Sequence, residues 1–273
     1  MSGIGILTKM FVEPTTPVNY FLRLSEKKIA LNPFLGKKIK LSFTGKIQCM
    51  GCARSIKKSY QDGYCFPCTQ KLARCDFCIL KPERCHYHLG TCREPKWGEE
   101  HCMIPHFVYL ANASGLKVGI TRHTQIPTRW IDQGAMTALP IFRVATRRIS
   151  GFVEVALAQF ISDKTNWRKM LTAYPENLDL YEEARKIKPA LQLPLQKIQK
   201  EWGEQAVEEL NESVVEFSYP ILSYPTKITS LSFSKQATIE GQLLGIKGQY
   251  LILDSGVLNI RKHSGYEIDF ITC

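Results

Sequence analysis

No stretch of the 273-residue chain approaches the roughly 20 uninterrupted apolar residues a bilayer-spanning helix needs, because Lys, Arg, Glu or Asp recurs throughout. A membrane partner is therefore not expected. Met1-Ser2-Gly3-Ile4-Gly5 opens no basic stretch with an apolar run behind it, so no export leader is expected either. Internal repeats and low-complexity tracts are lacking, which sets aside repeat arrays. Acidic residues are scarce over the first two thirds: the net charge is +9 over residues 1–105 and +6 over 106–172, against −5 over 173–220 and +1 over 221–273. A polyanion would meet the first two thirds, although charge alone also serves solubility.

What is abundant is cysteine, ten residues in all, within a chain that is 44% hydrophobic and long enough for one large or two modest domains. Disulfide scaffolds are usually short and exported. The thiols are therefore expected to be reduced or metal-bound in a soluble cytoplasmic protein.

Residues 1–47 form an N-terminal β segment with strands predicted at 6–11, 20–24 and 38–44. In the last of these Ile39, Leu41 and Phe43 alternate with polar residues. Residues 48–105 are cysteine-rich, loop-rich and short of periodicity, as where metal replaces a hydrophobic core. Residues 106–172 read as a core: a hairpin of 107–110 and 116–121, a helix over 125–133, a strand over 141–146 and a helix over 151–161. Residues 173–220 are an acidic region with amphipathic helices predicted over 176–188 and 195–217, punctuated by Pro189, Pro194 and Pro220. Residues 221–273 return to strands at 237–244, 249–253 and 257–260. The two terminal β segments are expected to pack together, being short and without cores of their own.

Cys49-Met50-Gly51-Cys52 and Cys65-Phe66-Pro67-Cys68 are paired CxxC knuckles, each able to place two sulfurs on one ion, so together they predict a closed tetrahedral Zn²⁺ site. Iron–sulfur and redox readings exist for thiols, but paired knuckles favour zinc. A second Cys₄ or Cys₃His site is predicted around Cys75 and Cys78, completed from Cys85, His86, His88, Cys92, His101 and Cys102; Cys85 with Cys92, or Cys92 with Cys102, both suit the second pair. Cys273 reads as an incidental thiol.

The hairpin carries Phe107-Val108-Tyr109 and Lys117-Val118-Gly119, followed by Arg129-Trp130 and, a helix later, Glu154. This arrangement, over about residues 106–167, resembles the GIY-YIG nuclease superfamily. The resemblance implies roles for Tyr109, Gly119, Arg129, a metal-binding Glu154 and Asn166. Lys117 stands where that family has its second Tyr, and Gln133 where it often has His or Tyr; Lys117 is still able to bind phosphate as a point charge. The residue types suit phosphodiester cleavage, which needs Mg²⁺ or Mn²⁺ on a hard carboxylate (Glu154), a proton acceptor (Tyr109) and a cation for developing charge (Arg129).

Longer strings resemble the uncharacterised bacterial DUF2797 family: residues 63–65, 90–95, 117–122, 129–135 and 245–251. Together these readings predict an α+β protein with a zinc-ribbon module, a GIY-YIG-like β-β-α-β-α core, flanking β segments and C-terminal helices. Its expected partner is DNA, or RNA, with Arg143, Arg147, Arg148, Arg168 and Lys169 extending the binding surface. Two rival functions are a non-catalytic zinc-dependent nucleic-acid binder and a zinc-ribbon adaptor between proteins. The sequence names no protein partner.

Overall fold

The computed structural model describes residues 2–162 and 165–272; Cys273 lies outside them. The fold is α+β. The terminal β segments share one eight-stranded sheet, in which Ser2–Ile6 pairs with Tyr266–Thr272, that strand with Lys38–Gln48, and Lys38–Gln48 with Thr238–Lys247. The alternation read in the sequence is why: Ile39 and Leu41 are fully buried on one face, while Lys38 and Thr44 stay exposed. The sheet continues through Tyr250–Leu253 and Gly256–Asn259.

The first strand lies earlier than the predicted 6–11. Ser2–Ile6 is extended, the chain bends after Leu7, and Phe11–Glu13 joins a separate three-stranded sheet with Asn19–Leu24 and Lys27–Ala30. Gly5 permits this, since a Cβ there would lie 2.8 Å from the Leu24 carbonyl carbon. Leu7 and Met10, at the bend, are wholly buried.

The core hairpin His106–Asn112 and Leu116–Arg122 is joined by Thr137–Val144 on its other side, with helices Thr128–Asp132 and Arg147–Leu157 following in the expected β-β-α-β-α order. The hairpin is covered on both faces. Val108 and Leu110 face Ile149, Val153 and Leu157 of the second helix, whereas Tyr109 and Ala111 face Trp130, Ile131 and the large β-sheet core. Two of the sequence strings meet at this second face. Gln249 donates to Asp132 at 2.8 Å, Lys9 pairs with the same carboxylate at 2.9 Å, and the Met10 amide donates to Gln249 at 2.7 Å.

The acidic region departs from expectation. A single 23-residue helix, Leu180–Trp202, runs through both Pro189 and Pro194. Each proline removes a backbone donor. The stripe Leu180, Ile187, Leu191 and Ile198, buried against the core, holds the helix together regardless. Beyond Gly203 the predicted helix is absent. Val207–Glu209 and Val215–Glu216 are instead short strands on the open edge of Thr137–Val144, which would otherwise leave its backbone donors unpaired. Among the described residues no helix is long and apolar enough to cross a membrane.

Candidate functional site

Lys38–Gln48 runs directly into the first CxxC turn, and Ser55–Ile56 pairs back on Ile47 and Gln48 to close a hairpin. Gly51 is dictated by space: a Cβ there would lie 2.8 Å from Leu72 Cδ1 and 3.1 Å from Cys68 Sγ. The second turn opens the helix Phe66–Lys71, with Cys65 at its N-cap. The Sγ atoms of Cys49, Cys52, Cys65 and Cys68 thereby lie within 4.8 Å of one another. Cys52 and Cys65 are 3.8 Å apart, the ~3.8 Å that tetrahedral coordination gives with metal–sulfur bonds of about 2.3 Å.

Donors converge on these sulfurs. The Cys65 and Gly51 amides reach Cys49 Sγ at 3.1 and 3.4 Å, and Arg54 Nε reaches Cys52 Sγ at 3.2 Å. Burial raises the Cys49 thiol, but the backbone amides of Cys65, Cys52 and Gly51 outweigh it and bring it down to about 6. Burial, reinforced by the neighbouring sulfurs, pushes Cys68 up to about 12. Negative charge is thus stabilised at one end of the cluster and crowded at the other, the situation a bound dication relieves. Four thiolates at this spacing fit a tetrahedral thiophilic metal.

The remaining cysteines sort differently from their order in sequence. Cys75 is buried and belongs to neither group: burial raises its thiol, the charges of Arg74 and Arg93 lower it, and it does not line the cavity of the later cysteines. Cys78, Cys85, Cys92 and Cys102 line one small cavity. Cys78 also groups with Asp76 and His86. Two of the histidines offered by the sequence turn elsewhere: His88 Nε2 meets Arg148 at 3.1 Å, and His101 stacks on Trp97 with its Nδ1 2.9 Å from that residue's carbonyl oxygen. The string Gly90–Pro95 staples the two cysteine regions, because Arg93 donates to the Thr69 carbonyl at 2.8 Å and Glu94 accepts from the Ala73 amide at 2.7 Å.

Beside this region opens a cleft of about 500 Å³ with walls from three parts of the chain. The cysteine-rich segment gives Arg74, Ile79, Leu80, Pro82, Trp97, His101 and Cys102; the core gives Lys117, Gly119, Arg122, Arg129, Gln133, Arg147 and Glu154; the C-terminal β segment gives Arg261. Close docking of the first two parts depends on Gly151, where a Cβ would lie 2.8 Å from Pro82 and run into the Glu83 amide. The cleft's charge is one-sided. Five arginines and Lys117 line it, and among the described lining residues Glu154 is the only carboxylate.

Tyr109 is fully buried under the cleft floor, edge-on to Trp130 at 5.8 Å, and donates to Gln133 Oε1 at 2.7 Å. Burial raises its phenol to about 12 despite the nearby Arg129, so at neutral pH Tyr109 is a hydrogen-bond donor and not a ready proton acceptor. Opposite it in register, Gly119 leaves room for the ring: a Cβ there would lie 2.6 Å from Tyr109 Cζ and Oη. Lys117 is also buried, donating at 3.1 Å to Gln133 Oε1 and to Thr165 Oγ1. Arg147 donates to the Ile79 carbonyl at 2.7 Å, and burial lowers its pKa.

Tyr109, Lys117, Gly119, Arg129 and Glu154 therefore converge, with Gln133 at the centre. Asn166 does not line the cleft; its side chain caps the helix Trp167–Thr172 by accepting from the Lys169 amide at 3.1 Å. Nor do Arg143, Arg148, Arg168 and Lys169 line it; Arg143 pairs with Glu208 at 3.2 Å and Arg148 lies over Phe152 and Trp202. Arg74 and Arg261 were not singled out by sequence because neither sits in a motif. Only the fold brings them into the same cleft as Arg129.

The chain is thus an α+β protein with a tetracysteine metal-ligand cluster beside a cationic cleft. It belongs to the DUF2797 family, described as proteins of unknown function, whose pattern matches residues 36–268. No curated protein and no solved structure gives a significant match.

Proposed function

We propose that the protein binds nucleic acid, DNA in the first instance and RNA in the second, through the Arg129/Glu154 cleft. There it cleaves the phosphodiester backbone with a divalent cation in the manner of a GIY-YIG-type endonuclease. The observation that carries this reading is the cleft's composition, five arginines and one lysine around a single carboxylate. Guanidinium groups match phosphate oxygens in charge and in paired donor geometry, so a chain of phosphates is the ligand such walls suit.

Glu154 and Arg129 supply two of the three groups that hydrolysis asks of the protein, and the proton of the attacking water passes to solvent in the open cleft. Mg²⁺ is commonly held by one or two carboxylates with substrate phosphates and water completing its sphere, so the lone Glu154 fits Mg²⁺ or Mn²⁺ in company with a substrate. When bound, such an ion polarises the phosphoryl group and acidifies a bound water. Arg129 faces the charge that develops on the phosphate. Tyr109 and Lys117, both bonded to Gln133, fix the floor on which the scissile phosphate rests. The Cys49/Cys52/Cys65/Cys68 cluster is read as structural Zn²⁺: four protein ligands leave no open position for chemistry, and the ion holds the hairpin and the helix that leads to Arg74.

Binding without turnover is the second reading, favoured by the neutral, buried Tyr109 and by Lys117 in place of a second tyrosine. A nicking assay on plasmid and single-stranded DNA with Mg²⁺ or Mn²⁺ separates the two. Cleavage that disappears in Glu154→Ala and Arg129→Ala is expected. Salt-sensitive binding with no cleavage of either substrate leaves only the second reading, and no binding at any salt leaves the adaptor.

A further inference from the structure

We propose that Cys78, Cys85, Cys92 and Cys102 form a second thiolate metal site, distinct from the first tetrad and excluding Cys75, and that its ion is zinc. The four sulfurs come from four successive short segments: the turn Phe77–Ile79, the residue after the turn Pro82–Arg84, the loop preceding helix Pro95–His101, and the C-cap of that helix. They line one small cavity of about 10 Å³, room for a single small sphere and no larger ligand. Cys78 and Cys85 stand side by side in its wall, each close enough to influence the other's charge. Gly98 forms part of the wall, since a Cβ there would lie 3.3 Å from Cys92 Sγ.

A second, independent observation calls for a cross-link at this place. Residues 73–105 contribute no side chain to any of the hydrophobic clusters formed by the described residues, and their regular structure is a single seven-residue helix with short 3₁₀ turns. A segment of that length without an apolar core does not hold one shape by burial, and a metal supplies the missing free energy. Cys85 and Cys102 are buried with no apolar cluster around them. The first tetrad already has its sulfurs within 4.8 Å of one another; the second converges more loosely, and rotation about single Cα–Cβ bonds draws its sulfurs in. On binding, the thiol protons leave to solvent and the ion takes four thiolates.

Asp76 and His86 lie next to Cys78 and are the alternative ligands. Each is already engaged: Asp76 pairs with Arg93 at 2.6 Å and accepts from the Cys78 amide at 3.3 Å, while His86 has Nδ1 2.7 Å from Thr91 Oγ1 and Nε2 3.6 Å from Asp76 Oδ2. They brace the loop around the sulfurs, as outer groups around metal ligands commonly do. Arg147, half-buried near Cys78 and Cys102 and lining the cleft, balances the negative charge of the filled site. The second ion thus fixes one wall of the cleft.

Metal analysis and native mass spectrometry of the purified full-length protein decide the matter. Two zinc ions per chain are expected in the wild type and in Cys75→Ser and Asp76→Asn, and one in Cys92→Ser. Cobalt substitution of the wild type gives a readout that needs no variant to fold: its sulfur-to-cobalt charge-transfer absorption per chain should be about twice that of a single four-thiolate site. The proposal is overturned by one zinc per wild-type chain, by an iron–sulfur absorption band, by disulfides among the four residues, by ion loss in Cys75→Ser or Asp76→Asn, or by a cobalt spectrum with too few thiolates. None of these outcomes depends on nuclease activity.

Discussion

Raising the salt from about 50 to about 200 mM should weaken double-stranded DNA binding in the cleft by ~150-fold. The figure follows from which lining cations are free to meet phosphate. Arg74 and Arg261 are exposed, and Arg122 and Arg129 are partly exposed. Lys117 is buried against Gln133 and Thr165, and Arg147 is bound to the Ile79 carbonyl. With about four phosphate contacts, log affinity against log salt should fall with a slope of about −3.6 on duplex DNA, or about −2.8 on a single strand. Arg261 already pairs with Asp62 at 2.9 Å, an exposed contact that a phosphate can replace. Fluorescence anisotropy with a labelled duplex across a salt series measures the slope. Arg129→Ala should bring it to about −2.7, by removing one contact, without altering sequence preference. A slope near zero, or one that Arg129→Ala and Arg74→Ala both leave unchanged, refutes the placement of the phosphate backbone in this cleft.

Gly119→Ala should destabilise the core by about 1–3 kcal/mol in urea unfolding, the usual cost of overpacking, because the added methyl meets a buried, tethered Tyr109 ring; an unchanged midpoint would show that the ring moves freely. Lys247 is wholly buried between Tyr219 and Tyr224, and burial lowers its pKa from 10.5 to about 8. Between those values the unfolded chain binds more protons than the folded one, so stability rises with pH across that window, by up to about 3 kcal/mol, and is lost as pH falls through 8. Lys247→Met should flatten this rise relative to wild type in unfolding measurements at about pH 8 and about pH 10. Parallel pH profiles for the two proteins would overturn it.

Local patterns were legible wherever their cause is local. A CxxC turn brings two sulfurs together within four residues, so the first tetrad followed from spacing, and the two-residue period of Ile39 and Leu41 marked a buried strand face. The β-β-α-β-α order was readable for the same reason, from Tyr109 and Gly119 on a hairpin and Arg129 and Glu154 on the helices that follow. Proline misled the reading of the acidic region. The buried stripe from Leu180 to Ile198 outweighs two missing donors, and the unpaired edge of Thr137–Val144 recruits residues that amphipathic spacing alone assigns to a helix.

The sequence by itself determined the metal-ligand tetrad, the basic first two thirds, the α+β class and the membership of Tyr109, Arg129 and Glu154 in one unit, because each rests on neighbours close in the chain. Tertiary structure alone decided that Arg74 and Arg261 line the same cleft as Arg129, that Tyr109 is sealed beneath it, and that Cys78, Cys85, Cys92 and Cys102 line one cavity from which Cys75 is absent. These are contacts between residues far apart in sequence. They are fixed by which surfaces bury one another when the cysteine-rich segment docks on the helix around Gly151, and no periodicity or spacing records that choice.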